Sequence, residues 1–282
     1  MIISVQNMEA PCGAKITGVD FSNPVSSEDL KQIRKAWMDH HVLVFPDQKL
    51  TNDDLVRFAE YFGPIGDDPF IEPIDGHEKI AAIHRRADET GRIFADNWHS
   101  DWSFMPVPPA GTCLYGIVIP PHGGDTFFSN QHLAYEKLPS NMKEKLLHLN
   151  AVHSARTAYA RDGAYAKDNG AMRITVSDEA KKIQLHSIAR NHPESGKIGL
   201  FGGSYVVDFD GLSHEEAREL AAELRDWQDR EEFVYQHKWE PDMLVLWDNR
   251  SVLHRASGGY EGYERRLHRL TIADNPDYYS DG

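Results

Sequence analysis

Apolar residues along this chain fall mostly into short runs bounded by Gly, Pro, Asn, Asp and Ser, a pattern that predicts strands more often than helices. Residues 2–5 and 14–19 read as strands. Helical spacing follows over about 28–39, with Ser26 and Asp29 placed as a capping box at its start. The run Val42-Leu43-Val44-Phe45, stopped by Pro46, suits a buried strand, and a second helix is expected from Thr51 and Asp54 to a close at Gly63. Beyond it the spacing predicts strands at 112–119, 126–129, 151–155, 184–188, 197–201, 232–239, 243–247 and 267–272. Phe233, Tyr235, His237 and Trp239 alternate with polar or smaller residues, as a half-buried strand requires. Helices are expected at 131–137, 141–149 and 215–230. They do not alternate with strands regularly enough for a doubly wound sheet. The expectation is a mostly β chain with flanking helices, an antiparallel barrel, and with no repeat or linker to divide it a single domain over 1–282.

Composition narrows the function classes. At 282 residues, 40% hydrophobic and 26% charged, the chain can bury a sizeable core without disulfides. A net charge of −14 repels a phosphate backbone, so no nucleic-acid partner is expected. No run approaches the roughly 18 apolar residues of a membrane span, and the first residues carry no basic leader, so a cytoplasmic protein without membrane contact is expected. Cys12 and Cys113 are isolated, which leaves histidine and carboxylate as the candidate metal ligands.

The 15 histidines then become the question. A non-haem iron site takes two His and one carboxylate on one face, and His-x-Asp on a strand points both side chains the same way. With 44 acidic residues in 282, chance alone supplies about 2.3 His-x-Asp/Glu matches, and the chain has three. Context separates them. His214-Glu215-Glu216 follows Ser213, which with Glu216 reads as a helix cap. His192-Pro193-Glu194 lies in a Pro/Ser/Gly turn and is expected on a surface loop. His99-Ser100-Asp101 sits between Trp98 and Trp102, with Phe104 beyond, and is either a metal pair or a core histidine beside an aspartate. Farther on, Trp247-Asp248-Asn249-Arg250 leads to His254, and eleven residues later comes Arg265-Arg266, then Arg269. On a strand Arg265, Leu267, Arg269 and Thr271 share one face. The two arginines form either an inward anion pocket or, with Arg255 and Arg266, a solvated basic patch.

These blocks resemble the taurine dioxygenase and 2,4-dichlorophenoxyacetate dioxygenase family of Fe(II)- and 2-oxoglutarate-dependent oxygenases. VLVFPDQ, Phe62-Gly63-Pro64, NWHSDWSF, PPHGGDTFF, FVYQHKW, LWDNRSVLHRA and RRLHRLTIAD occur in the family's order over nearly the whole chain. The resemblance implies a double-stranded β-helix, or jelly roll, of the cupin type. It implies His99, Asp101 and His254 as iron ligands and as the catalytic centre. Thr126 and Arg265 would hold 2-oxoglutarate, with Arg266 as the rival in the doublet, and Arg269 would meet the substrate's anion.

The implied reaction consumes O2 and 2-oxoglutarate, releases succinate and CO2, and hydroxylates one C–H bond of a small organic anion. Trp98 and Phe104 are expected beside the substrate, together with Trp102, and a homo-oligomer is expected. Where the taurine enzyme carries His and Tyr after its Phe-Gly pair, this chain reads PIGDDPFIEPIDGH, and Ala95 replaces an Asn. With Phe70 in that stretch, the expected substrate is a larger, partly apolar carboxylate, sulfonate or sulfate rather than taurine. The alternatives are a cupin-like metalloenzyme that does not use 2-oxoglutarate and a non-catalytic anion-binding barrel.

Overall fold

The computed structural model describes residues 2–167 and 170–278. The amino-terminal part runs through β1 (Ser4–Asn7), β2 (Ala14–Thr17), α1 (Ser27–His40), β3 (Val42–Phe45), α2 (Asn52–Glu60) and β4 (Ala81–Arg85). The middle comprises β5 (Gly111–Val118), β6 (Thr126–Asn130), α3 (Gln131–Glu136), α4 (Ser140–Leu147), β7 (Asn150–His153), α5 (Arg156–Tyr159), β8 (Gln184–Ser187), β9 (Ala189–Asn191), β10 (Ile198–Leu200) and β11 (Val206–Phe209). The chain then forms α6 (His214–Gln228), β12 (Val234–His237), β13 (Leu244–Asp248), β14 (Val252–Ala256) and β15 (Arg265–Ile272).

A seven-stranded sheet in the order β1-β2-β3-β13-β5-β15-β4 packs against a three-stranded sheet in the order β12-β6-β14. Period-2 alternation explains why the central strands read as unbroken apolar runs: both faces of the larger sheet are covered. On β3 and β13, Val42, Val44, Val245 and Trp247 point into the barrel, where they meet Phe128 and Val252 of the smaller sheet. Leu43, Phe45, Leu244 and Leu246 point outward onto Ile33 and Trp37 of α1 and Leu55 and Phe58 of α2. β15 follows the same rule. Leu270 and Ile272 join the outer core, while Leu267 faces inward on the face that also carries Arg265 and Arg269.

Capping chemistry sets these helix starts, though at Ser26 the expected box is only one-sided among the described contacts. Ser26 accepts from the Asp29 amide, and Thr51 with Asp54 and Ser213 with Glu216 close reciprocal capping boxes. Other expectations need correction. Helix α2 ends at Glu60, and Gly63 serves close packing instead: a Cβ there would lie 2.9 Å from the Ala273 carbonyl. β4, β9, β11 and β14 were not expected as strands, because each is short and acquires its regularity from its partner. His192 is not on a surface loop. It is buried, and its Nε2 bonds Asp248 Oδ2 at 2.9 Å, while the neighbouring Glu194 pairs with Arg250 at 2.7 Å. A proline there stops ladder pairing but does not prevent burial when the polar groups find partners. No helix among the described residues is long and apolar enough to cross a membrane.

Candidate metal centre and active site

The His99-Ser100-Asp101 segment lies outside the named strands, pinned to β14 by one reciprocal backbone pair. His99 N donates to the His254 carbonyl at 3.0 Å, and His254 N donates to the His99 carbonyl at 2.8 Å. Directly opposed residues of an antiparallel pair project to the same side, so the two imidazoles meet with centroids 4.2 Å apart. Ser100 locks the segment from behind by donating to the Asn249 carbonyl at 2.7 Å. Immediately after Asp101, Trp102 turns the chain with a φ of +47°, in the left-handed region that non-glycine residues seldom occupy.

Nε2 of His99 and Nε2 of His254 each lie 3.6 Å from Asp101 Oδ1. All three side chains are buried, and their ligand atoms lie within 4.8 Å of one another, the only such group of three among the described residues. His99 Nδ1 is 2.8 Å from the Asn97 carbonyl, which can only accept; the proton therefore sits on Nδ1 and the Nε2 lone pair faces the cluster. Burial depresses the His254 pKa well below its ordinary value, and the Arg269 guanidinium adds to it, so the imidazole is neutral and free to ligate. Burial alone would raise the Asp101 pKa; the Arg269 guanidinium beside it outweighs burial and holds the carboxyl well below the usual range. Two imidazoles that turn Nε2 to the cluster and an ionised carboxylate on one face suit Fe(II).

Asp101 is also held from its other oxygen. Thr112 on β5 donates to Oδ2 at 2.7 Å and itself accepts from Asn249 Nδ2 at 2.9 Å. Arg269 donates to Asp101 Oδ1 at 3.0 Å and, through Nε, to Asp68 Oδ1 at 3.2 Å. The Arg269 side chain, expected from the resemblance to meet the substrate's anion, is thus buried between two carboxylates of the protein itself. Arg269 does line a cavity of about 550 Å³, with His99, Asp101, Trp98, Trp102, Tyr159 and Tyr205 among the other walls. Phe104 is not among the lining residues. It packs edge-on against Tyr205 at 5.0 Å and Trp102 at 5.8 Å, behind the wall, and Phe70 likewise stacks on Tyr159 at 4.8 Å.

At the other end of β15, Arg265 is buried and, among the described residues, pairs with no carboxylate. Its Nε donates to the Gly124 carbonyl at 3.1 Å, and burial depresses its pKa to about 10. Gly124 must be glycine for this approach, since its φ is +68° and a Cβ would lie 2.9 Å from the Arg265 side chain. Thr126 stands opposite His237 in the β6–β12 pairing, and its hydroxyl accepts from Trp239 Nε1 at 3.0 Å, which leaves its own proton to donate. His237 Nε2 is buried and has no hydrogen-bond partner among the described residues. An unpaired guanidinium, a free hydroxyl proton and an orphaned imidazole nitrogen fit a carboxylate. Arg266, by contrast, points to the opposite face and is half exposed. Neither Thr126 nor Arg265 lines the 550 Å³ cavity; Arg265 borders a separate void of about 30 Å³.

The family model described as Taurine catabolism dioxygenase TauD, TfdA family matches residues 4–271. The chain belongs to the TauD/TfdA family. Among its relatives is the alpha-ketoglutarate-dependent 2,4-dichlorophenoxyacetate dioxygenase of Cupriavidus pinatubonensis, 32% identical over 93% of this chain and 94% of that protein. The (S)-phenoxypropionate/alpha-ketoglutarate-dioxygenase of Sphingobium herbicidovorans is 29% identical over 95% and 94%. A crystal structure of AAD-2 in complex with Mn(II) and N-oxalylglycine superposes with a TM-score of 0.81 at 27% identity, covering 98% of both chains. The barrel is thus the jelly roll of the TauD/TfdA dioxygenases, and the protein is a 2-oxoglutarate-dependent dioxygenase that uses Fe(II) and O2.

Sequence reasoning missed Thr112, Asp68 and Asn249 as parts of this TauD/TfdA site. None lies at a spacing that marks it. Thr112 is recognisable only from the register that sets it opposite Trp247 on β13 and Thr271 on β15.

Proposed function

We propose that this dioxygenase hydroxylates a small, partly apolar organic anion, a carboxylate, sulfonate or sulfate, with His99, Asp101 and His254 holding the iron and Arg265 and Thr126 holding the far carboxylate of 2-oxoglutarate. The observation that carries this reading is the buried His-Asp-His cluster opening onto a cavity of about 550 Å³ walled by Trp98, Trp102, Tyr159 and Tyr205. When bound, the iron and cosubstrate supply the oxidising power, and 2-oxoglutarate leaves as succinate and CO2.

The chain's own residues do the rest. His99, fixed by the Asn97 carbonyl, and His254, held between Trp247 at 4.7 Å and Phe128 at 6.2 Å, present rigid nitrogen donors. Thr112 and Arg269 set the carboxylate plane of Asp101 from opposite oxygens. Arg265 can take a carboxylate in a two-pronged contact, because only its Nε is engaged with Gly124. The aromatic walls exclude water and orient an apolar substrate segment. We further propose that the chain acts as one domain, with its relatives' phenoxypropionate, 2,4-dichlorophenoxyacetate and sulfate ester substrates as chemical guides.

The test is a screen of organic anions for succinate release in the presence of Fe(II), 2-oxoglutarate and O2. Succinate formation that follows a carboxylate, sulfonate or sulfate substrate is the expected outcome. Stimulation only by uncharged compounds would overturn the anionic assignment.

A further inference from the structure

Arg269 is already neutralised inside the protein. Its Nε reaches Asp68 Oδ1 at 3.2 Å, Nη1 reaches Asp101 Oδ1 at 3.0 Å, and Nη2 donates to Thr271 Oγ1 at 3.2 Å. Asp68 is no loose neighbour. The same Oδ1 accepts from Trp102 Nε1 at 2.7 Å and from Thr271 Oγ1 at 2.8 Å, and its side chain is only 9% exposed. A second anion approaching this guanidinium would meet a fixed carboxylate in a poorly screened interior, where like charges repel strongly. Even with Asp101 committed to a metal, Asp68 remains to satisfy Arg269.

The outer part of the same cavity is different. Arg92 is held at two nitrogens by Asp96, at 2.7 and 3.0 Å, and brings no free charge. Arg255 lies over Trp98 at 5.0 Å and Phe127 at 4.4 Å, and reaches Asp229 only at 4.0 Å. The Asp229 carboxylate is shared, since it also accepts from Trp98 Nε1 at 2.7 Å. Arg225 of α6 lines this region with an exposed side chain and, among the described residues, has no carboxylate within ion-pair distance. Three arginines against two aspartates leave the mouth with one uncompensated positive charge.

We infer that Asp68 stands in for a substrate anion at Arg269, and that the substrate's anionic group is held instead at the cavity mouth by Arg225 with Arg255 beside it. This rests on the anionic-substrate reading above and deepens it. The favoured substrate carries its anion at a distance from the oxidised carbon, with an apolar segment between them lying along Trp98 and Tyr205.

The experiment compares hexyl sulfate, as a long anion, with ethanesulfonate, as a short one, in wild type, Arg225→Gln and Asp68→Asn. Succinate kinetics are paired with anaerobic calorimetric binding of each anion to the Mn(II)- and 2-oxoglutarate-loaded protein. Wild type should prefer hexyl sulfate. Arg225→Gln should weaken hexyl sulfate binding and raise its KM about tenfold, the worth of one charge-assisted contact, with the loss falling on KM rather than kcat. Asp68→Asn keeps an acceptor for Trp102 and Thr271 but removes the charge, so ethanesulfonate should bind at least about tenfold more tightly than to wild type. Unchanged hexyl sulfate affinity in Arg225→Gln, or unchanged ethanesulfonate affinity in a folded, metal-binding Asp68→Asn, would overturn the inference while leaving the anionic reading standing. Turnover of hexanol but of neither anion would instead remove the anionic reading itself.

Discussion

Replacing Thr112 with valine removes a single oxygen from the wall behind the proposed metal ligands, and the structure states what that oxygen does. It donates to Asp101 Oδ2 at 2.7 Å and accepts from Asn249 Nδ2 at 2.9 Å, in a site where Thr112 is fully buried. A hydrogen bond to an ionised partner is worth about 1.5–3 kcal/mol, and a buried amide donor left without an acceptor costs a further 1–3 kcal/mol or about that. The first contribution bears on the metal, because Asp101 loses the contact that fixes its carboxylate plane. Losing such an outer partner lowers metal affinity about 10–100-fold, equivalent to about 1.4–2.7 kcal/mol, which matches the hydrogen-bond estimate. The second bears on the fold, since a chain of this size loses roughly 2–4 °C of Tm per kcal/mol. Anaerobic titration of the apo protein with Mn(II) measures the first effect and thermal unfolding the second. Thr112→Ser, which keeps the hydroxyl, should restore most of the metal affinity. A valine variant that binds Mn(II) as tightly as wild type would refute the claim that Thr112 organises the site.

His99→Ala and Asp101→Ala should each abolish metal binding and succinate formation while the far-ultraviolet circular dichroism stays native; full turnover in both would remove the proposed centre. Arg265→Lys should raise the 2-oxoglutarate KM far more than Arg266→Lys, because Lys cannot reproduce the planar fork and Arg266 lies half exposed on the other strand face; the opposite ranking would transfer the role to Arg266. Stability should fall on acidification. Burial holds His41, His153 and His237 neutral, with pKa values depressed from 6.5 to about 3, so between those limits the unfolded chain takes up protons that the native fold refuses. The contribution is whole above the unfolded pKa and is lost as pH falls, at about 1.4 kcal/mol per pH unit for each histidine; a urea midpoint unchanged between pH 7 and pH 5 would contradict this.

Much of this protein is local enough to be read from the chain. Capping boxes at Ser213 and Thr51 announce their helices because both partners lie within four residues. The run from Val42 to Phe45 announces a strand covered on both faces, and alternation along β15 separates Arg265 from Arg266 without reference to any other strand. The order of the family's motif blocks pointed to the chemistry as well, since the residues proposed to hold iron and 2-oxoglutarate, His99, Asp101, His254 and Arg265, were picked out by their places in those blocks. What tertiary structure decided is which groups share a charge. Asp68 and Arg269 are 201 positions apart, and Thr112 and Asn249 are 137 apart. No periodicity relates such residues; they meet only because β5 lies between β13 and β15 and the loop after α2 returns across the barrel. The burial of His192 against Asp248 has the same origin. A guanidinium looks the same in sequence whether it waits for a ligand or is already paired, because its partner is chosen by the fold and its electrostatic worth by the solvent that the fold excludes.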